Sequence, residues 1–281
     1  MRIGIVGLGL IGGSLGLDLR SLGHEIFGVS RQPKTCEIAL QRGVVDQASV
    51  DLLLLAKTEV IFVCTPLGAI QSTVEQLVPY LQPEVVLTDV GSVKAAIAQK
   101  ILPFWGNFVP GHPMAGTAET GIEAAQSRLF AGKPYVLTPT DKTPPASVQV
   151  VADLVKSLSA TLYQCSPAAH DRAVSLISHL PVMVSASLIA TCLQEPDPET
   201  LLLAQQLASS GFRDTSRVGG GNPELGRMMA EYNQAEVLRS LHGYRQTLDR
   251  LIDSIETQNW SAIEQTLRQN QQARPQFLNP M

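Results

Sequence analysis

Met1-Arg-Ile-Gly-Ile-Val-Gly-Leu-Gly-Leu-Ile-Gly-Gly-Ser-Leu-Gly16 decides the fold. Ile3, Ile5 and Val6 read as a short buried strand, and Leu15, Leu17, Leu19 and Leu22 as the apolar side of a helix. Between them Gly7, Gly9 and Gly12 complete a G-x-G-x-x-G turn. The first glycine allows the tight turn, the second lets a pyrophosphate approach the backbone, and the third brings the helix onto the strand. Unbonded N–H groups at the start of such a helix make an anion site. Strand, glycines and helix in this order make a dinucleotide turn, with Gly7, Leu8, Gly9, Leu10, Ile11 and Gly12 lining the pyrophosphate.

The second strand, Glu25–Val29, selects the dinucleotide. An Asp or Glu directly after it would hold the ribose 2′-OH of NAD, whereas a 2′-phosphate needs that carboxylate absent and a cation nearby. Ser30 and Arg31 occupy the place, with Lys34 close behind, so the expected cofactor is NADP. The bland alternative is a solvated loop indifferent to charge.

A length of 281 residues allows two domains with a sizeable core, and 44% hydrophobic with 16% charged residues is ordinary for a globular enzyme. The net charge of −4, with no basic stripe, argues against nucleic acid as a partner. Cys36, Cys64, Cys165 and Cys192 form no C-x-x-C, and are expected to be reduced, mostly buried thiols in a cytoplasmic protein. The apolar run after Arg2 is broken by glycines and lacks a small-residue cleavage site, so it is not expected to be a signal peptide. Leu180–Leu193, the longest apolar segment, is too short for a bilayer and is expected to be a buried helix; no membrane partner is expected. No histidine spacing suits a metal, and none is expected.

Along the chain, helices are expected over 34–42, 69–80, 93–101 (started at Ser92) and 144–157, a helical turn over 51–56, and strands over 59–64, 85–89, 107–109, 135–138 and 161–165. This alternation predicts a parallel sheet covered on both faces. From Pro167 onward the periodicity is helical throughout: 168–194, 199–210, 223–232, 235–257 and 261–274, followed by an extended tail over 274–281. Ser166-Pro167 reads as an N-cap with proline at the first helical position. The fold expected is thus an α/β Rossmann-type domain over 1–165 followed by an all-α dimerisation domain over 166–281. Its broad apolar faces predict a homodimer.

Three stretches fall beyond the carboxyl ends of the strands, where ligands of open parallel sheets bind. Cys64-Thr65-Pro66 should lie over the nicotinamide, and Asp89-Val-Gly91-Ser92 should turn beside it. His112-Pro-Met-Ala-Gly116-Thr117 should be a loop presenting an imidazole to the crevice, suited to removing a hydroxyl proton. His179 has a structural and a substrate role equally open, and His170 beside Asp171 reads as structural. In Gly211-Phe-Arg213-Asp214-Thr-Ser-Arg217 two guanidiniums are positioned to hold a carboxylate, with Asp214 three residues before Arg217 to orient it. An exposed ion-paired turn is the alternative.

These motifs, together with Ser178-His-Leu-Pro181, resemble the prephenate/arogenate dehydrogenase family of tyrosine biosynthesis over nearly the whole length. The resemblance implies oxidative decarboxylation of a cyclohexadienol carboxylate by a two-domain dimer. It makes His112 the catalytic histidine and Ser92 the serine that hydrogen-bonds near it and the nicotinamide. Arg217 becomes the substrate-carboxylate arginine and Thr117 a pocket residue. Many prephenate users of the family carry a second histidine directly after this Leu-Pro, where the chain has Val182. The expected substrate is therefore arogenate, with prephenate or dual use as the alternative. β-Hydroxyacid dehydrogenases would want a lysine early in the helical half, and 167–192 contains none.

Overall fold

A computed structural model describes residues 1–117 and 119–278 of the chain. They divide into two compact units, one covering residues 1–234 and one from Ala235 onward.

The first unit opens with β1 (Arg2–Val6), α1 (Leu10–Ser21), β2 (Glu25–Val29), α2 (Pro33–Gln41) and β3 (Gln47–Ser49). It continues through β4 (Val60–Val63), α3 (Ile70–Leu77), β5 (Val86–Asp89), α4 (Ala95–Ile101) and β6 (Phe108–Val109). The six strands form one parallel sheet in the order β3-β2-β1-β4-β5-β6. Successive residues of a strand point to opposite faces, and both faces are covered. Ile3, Ile5, Val60 and Phe62 enter one core with Leu15 and Leu19, while Val6, Ile61 and Val63 enter the other with Val74 and Ile97. Each fully buried aliphatic side chain contributes about 1.5–3 kcal/mol. The chain order reverses between β1 and β4, which opens the crevice where such sheets take ligands. β3 was not expected; Gln47-Ala-Ser49 lacks the β-branched run that marks its neighbours.

A smaller sheet follows: β7 (Gly111–Pro113), β8 (Pro134–Leu137) and β9 (Thr161–Gln164), with α5 (Pro145–Ser157) between the last two. β7 runs antiparallel to β8, pairing His112 with Val136. His112 is therefore not on irregular backbone as the sequence suggested. It sits on a strand, which Gly-His-Pro hides because none of the three residues favours one.

The helical part begins at α6 (Pro167–Val174), with the Ser166 hydroxyl accepting from the Ala169 N–H at 3.2 Å as an N-cap. A π turn over Ser175–His179 then leads into α7 (Leu180–Leu193). The π turn breaks what the sequence presents as one α-helix. Pro181 has no N–H to offer the turn before it and its ring crowds the carbonyl there, so the helix widens. The continuous rod Pro167–Leu193 is 27 residues, long and apolar enough to cross a membrane by length and composition alone. α7 is also not the buried helix expected: Ser185 is its one buried residue, and Leu193 is 64% exposed. The apolar face has no cover within one chain.

α8 (Pro198–Leu207), α9 (Ser210–Ser216) and α10 (Pro223–Tyr232) complete the unit. α10 lies against the nucleotide half: Met228 joins the core below α3 and α4, and the Lys100 ammonium sits 5.0 Å over the Tyr232 ring. The second unit consists of α11 (Gln234–Glu256), apart from its first residue, and α12 (Trp260–Leu278). The expected extended tail is helical as far as Leu278, with Pro275 inside the helix; 279–281 lie outside the described residues.

Candidate functional site

Gly7 has φ +98°, and a Cβ there would stand 2.6 Å from the Cys64 carbonyl oxygen, so only glycine fits. A Cβ on Gly12 would meet the Gly7 carbonyl oxygen at 2.1 Å, which is how closely α1 sits on the turn. At Gly9 the same Cβ would meet nothing within 4 Å. α1 begins directly after Gly9 with no side chain capping its first N–H groups. An open approach, an uncapped helix start and a cramped turn around them fit a dinucleotide pyrophosphate. Leu8 is buried, and Leu10 and Ile11 are half-buried at the helix start.

Ser30 is half-buried at the end of β2 and its Oγ accepts from the Gln32 N–H at 3.4 Å, while Arg31 is exposed. Across the crevice Cys64 and Thr65 are half-buried after β4, and Pro66 is exposed. Burial and the nearby Asp89 carboxylate push the Cys64 thiol up, so it is a packing group and not a nucleophile. The four cysteines are free; Cys36 is buried and the other three are half-buried, against the expectation of mostly buried thiols.

At the end of β5 the fully buried Asp89 carboxylate accepts from the Gly91 N–H at 2.8 Å and the Gly111 N–H at 3.2 Å. The fully buried Lys94 pairs with Asp89 and donates to the Gly111 carbonyl at 2.7 Å. This ion pair fastens β7 to the carboxyl edge of the parallel sheet. Ser92 is half-buried in the intervening loop but does not start α4 as expected. Lys94 is the residue before that helix, and the Asp171 carboxylate from α6 caps it, accepting from the Lys94 and Ala95 N–H groups at 2.8 Å each.

Asp171 also faces His170 Nδ1 at 2.8 Å, and His170 Nε2 lies 2.8 Å from His112 Nδ1. His112 is 8% exposed, and His170 and Asp171 are more buried still. Burial, then the His170, Lys94 and His179 charges, hold the His112 imidazole well below its ordinary value, so it is neutral, with a lone pair to accept a proton, at physiological pH. The π turn carries His179 inward, where Asn233 donates to the Asp171 carbonyl at 2.8 Å and lies 3.2 Å from His179 Nδ1. Burial pushes His179 down to about 4, and its Nε2 has no partner among the described residues.

Residues 15–164 match the family model for the nucleotide-binding domain of prephenate dehydrogenase, and residues 166–269 that for its dimerization domain. The chain belongs to the prephenate dehydrogenase family. It is 32% identical to the prephenate dehydrogenase of Bacillus subtilis over 263 residues, covering 91% of this chain and 70% of that one. Among solved structures, Synechocystis arogenate dehydrogenase matches with 53% identity and a TM-score of 0.89, covering 99% and 100% of the two chains. Prephenate dehydrogenase from A. aeolicus, in complex with hydroxyphenyl propionate and NAD+, matches with 27% identity and a TM-score of 0.93 over 98% and 97%.

Of the residues expected at the substrate side of this family member, the structure gathers His112 and His179 around Asp171. The others lie at the surface. Gly116 and Thr117 are exposed, with the Thr117 hydroxyl accepting from the Glu119 N–H at 3.2 Å. Arg213, Asp214 and Arg217 are exposed on or beside α9. Asp214 pairs with the adjacent Arg213 at 3.3 Å and not with Arg217 as the spacing suggested; Arg217 lies just past the end of α9. Sequence reasoning took His170 beside Asp171 as structural and gave Lys94 and Asn233 no role. The adjacent His170-Asp171 was the available signal, but two helical neighbours do not themselves show that one imidazole reaches a strand.

Proposed function

We propose that the chain oxidatively decarboxylates arogenate to tyrosine, using NADP. The observation that carries this reading is His112: a buried, neutral imidazole held at the carboxyl edge of a dinucleotide-binding sheet. The nicotinamide supplies the hydride acceptor. His112 takes the ring-hydroxyl proton, Ser92 positions that hydroxyl, and Arg217 holds the ring carboxylate until it leaves as carbon dioxide. His179, whose Nε2 has no partner among the described residues, and Gly116 and Thr117 contribute further substrate contacts. Aromatisation of the ring supplies the driving force, so the chain needs orientation and one base more than it needs transition-state charge stabilisation.

Ser30 and Arg31 in place of a carboxylate support NADP. Arogenate is favoured over prephenate because Val182, half-buried on α7 and facing Gly226, adds no cation beside the substrate side chain. A protonated histidine there would repel the arogenate ammonium. The uncovered apolar face of α7 and α8 belongs to the part that matches a dimerization domain, and a second copy covers it in a homodimer. Free cysteines fit a cytoplasmic enzyme, without membrane or nucleic-acid partner.

The test is initial rates with arogenate and prephenate, each with NADP and NAD. Arogenate with NADP should give the highest kcat/KM. Equal efficiency with prephenate overturns the substrate assignment, and equal use of NAD overturns the cofactor assignment.

A further inference from the structure

We propose that His170 and Asp171 form with His112 a proton relay, which fixes the His112 tautomer and carries the arriving positive charge away from the substrate. The proposal rests on the reaction proposed above and names two positioning residues for it.

The tautomers follow from the donors. Asp171 Oδ1 accepts from the Lys94 N–H and Oδ2 from the Ala95 N–H, both at 2.8 Å, and main-chain N–H groups can only donate. Oδ1 is therefore already an acceptor where His170 Nδ1 meets it at 2.8 Å, so that nitrogen carries its proton. The remaining nitrogen of a neutral His170, Nε2, presents a lone pair. His112 Nδ1, 2.8 Å away, donates to it, and this leaves the lone pair of His112 on Nε2. The base thus points its lone pair away from the relay. The rings meet edge-on, with centroids 5.0 Å apart and an interplanar angle of 71°, which is compatible with a ring N–H aimed at a ring lone pair.

The charge distribution gives the direction of proton movement. His112 is faced by His170 from α6, by Lys94 ahead of α4 and by His179 from the π turn. Lys94 has Asp89 as its counter-charge, and Asp171 stands behind His170. A proton kept on His112 would sit buried beside Lys94. On His170 it sits in contact with a carboxylate. As the substrate hydroxyl gives its proton to His112 Nε2, the Nδ1 proton passes to His170 Nε2, leaving a His170 imidazolium against Asp171. The ring C–H leaves with its electron pair to the cofactor. The carboxylate C–C bond breaks with its pair entering the ring, and the phenolate oxygen recovers a proton as the relay reverses. No further reactant is needed.

The experiment compares the full-length wild type with His170→Gln and Asp171→Asn, by the pH profile of kcat/KM for arogenate and by 15N shifts of labelled histidines. His170→Gln keeps an acceptor for His112 Nδ1–H but cannot take a proton. Both variants should lose at least about tenfold from the plateau, a fraction of a full general-base contribution. Asp171→Asn should also move the acidic limb to lower pH, because the protonated relay loses its counter-charge, whereas His170→Gln keeps that carboxylate and tests the plateau alone. The wild-type spectrum should show His112 protonated at Nδ1. In Asp171→Asn, a plateau that falls with an unmoved limb means a merely structural role and overturns the relay, as does a wild-type His112 protonated at Nε2. Inactive wild type with either substrate removes the proposed reaction, and the 15N spectrum, which needs neither substrate nor a folded variant, then still decides the relay.

Discussion

His112 must be neutral to act, and its surroundings keep it so. Burial disfavours its cation, and His170, Lys94 and His179 add to that. The acidic limb of kcat/KM should accordingly lie below the ordinary imidazole value of about 6.5. His112→Asn should lower kcat by about two to four orders of magnitude with cofactor binding nearly intact. Loss of less than a few-fold would remove His112 from the reaction. Arg217 is exposed, and the neighbouring Arg213–Asp214 pair has side chains 75% and 73% exposed, which leaves that pair little stabilising value. Exposed guanidiniums that add so little stability are free to hold a carboxylate. Arg217→Ala should therefore raise KM far more than it lowers kcat, with a loss of roughly 2–3 kcal/mol. The same effect from Arg213→Ala instead, measured under identical conditions, would transfer the role to Arg213.

At the scale of elements, legibility followed how local the cause was. β1, α1 and β2 are written in consecutive residues, and Glu25–Val29 and Pro223–Tyr232 match their expected spans. The Gly7–Gly12 turn is legible for the same reason: Gly12 answers a clash with the Gly7 carbonyl, Gly7 takes a positive φ against Cys64, and Gly9 leaves the approach open. Gly12→Ala should accordingly weaken binding of the nicotinamide dinucleotide and lower the thermal midpoint together, since its Cβ would collide with backbone and not with a movable side chain. A variant binding the dinucleotide as tightly as wild type, by fluorescence titration, would refute the close approach. Long-range causes stayed hidden. The cap of α4 comes from Asp171, 77 residues beyond Lys94, while the sequence offers Ser92 close by. β7 exists because β8 is beside it. The π turn had a visible cause in Pro181, but its effect, turning His179 inward beside Asn233, depends on a residue 54 positions later.

For the whole molecule, buried histidines set the response to acid. The folded His179 is held down to about 4 by burial, whereas an unfolded imidazole titrates near 6.5. Between those values the unfolded chain binds the more protons, so stability is complete above about pH 6.5 and falls as pH drops towards 4. His112 acts in the same direction. Urea midpoints at fixed protein concentration should be lower at pH 5 than at pH 7; equal midpoints would mean the imidazoles are not buried neutral.

The Asp89–Lys94 pair makes one amine chemically invisible. Lys94 has no exposed surface, and its nitrogen is occupied by a carboxylate and a carbonyl. Acylating reagents need an accessible lone pair, so they should modify the exposed Lys34, Lys57 and Lys133 within the folded protein and leave Lys94 unmarked. Acylation at Lys94, followed by peptide mass spectrometry, would then proceed only when β5 and β7 part. Its rate becomes an internal clock for the opening of the crevice floor, readable without any substrate. Labelling of Lys94 as fast as of Lys57 would show that this floor is never closed.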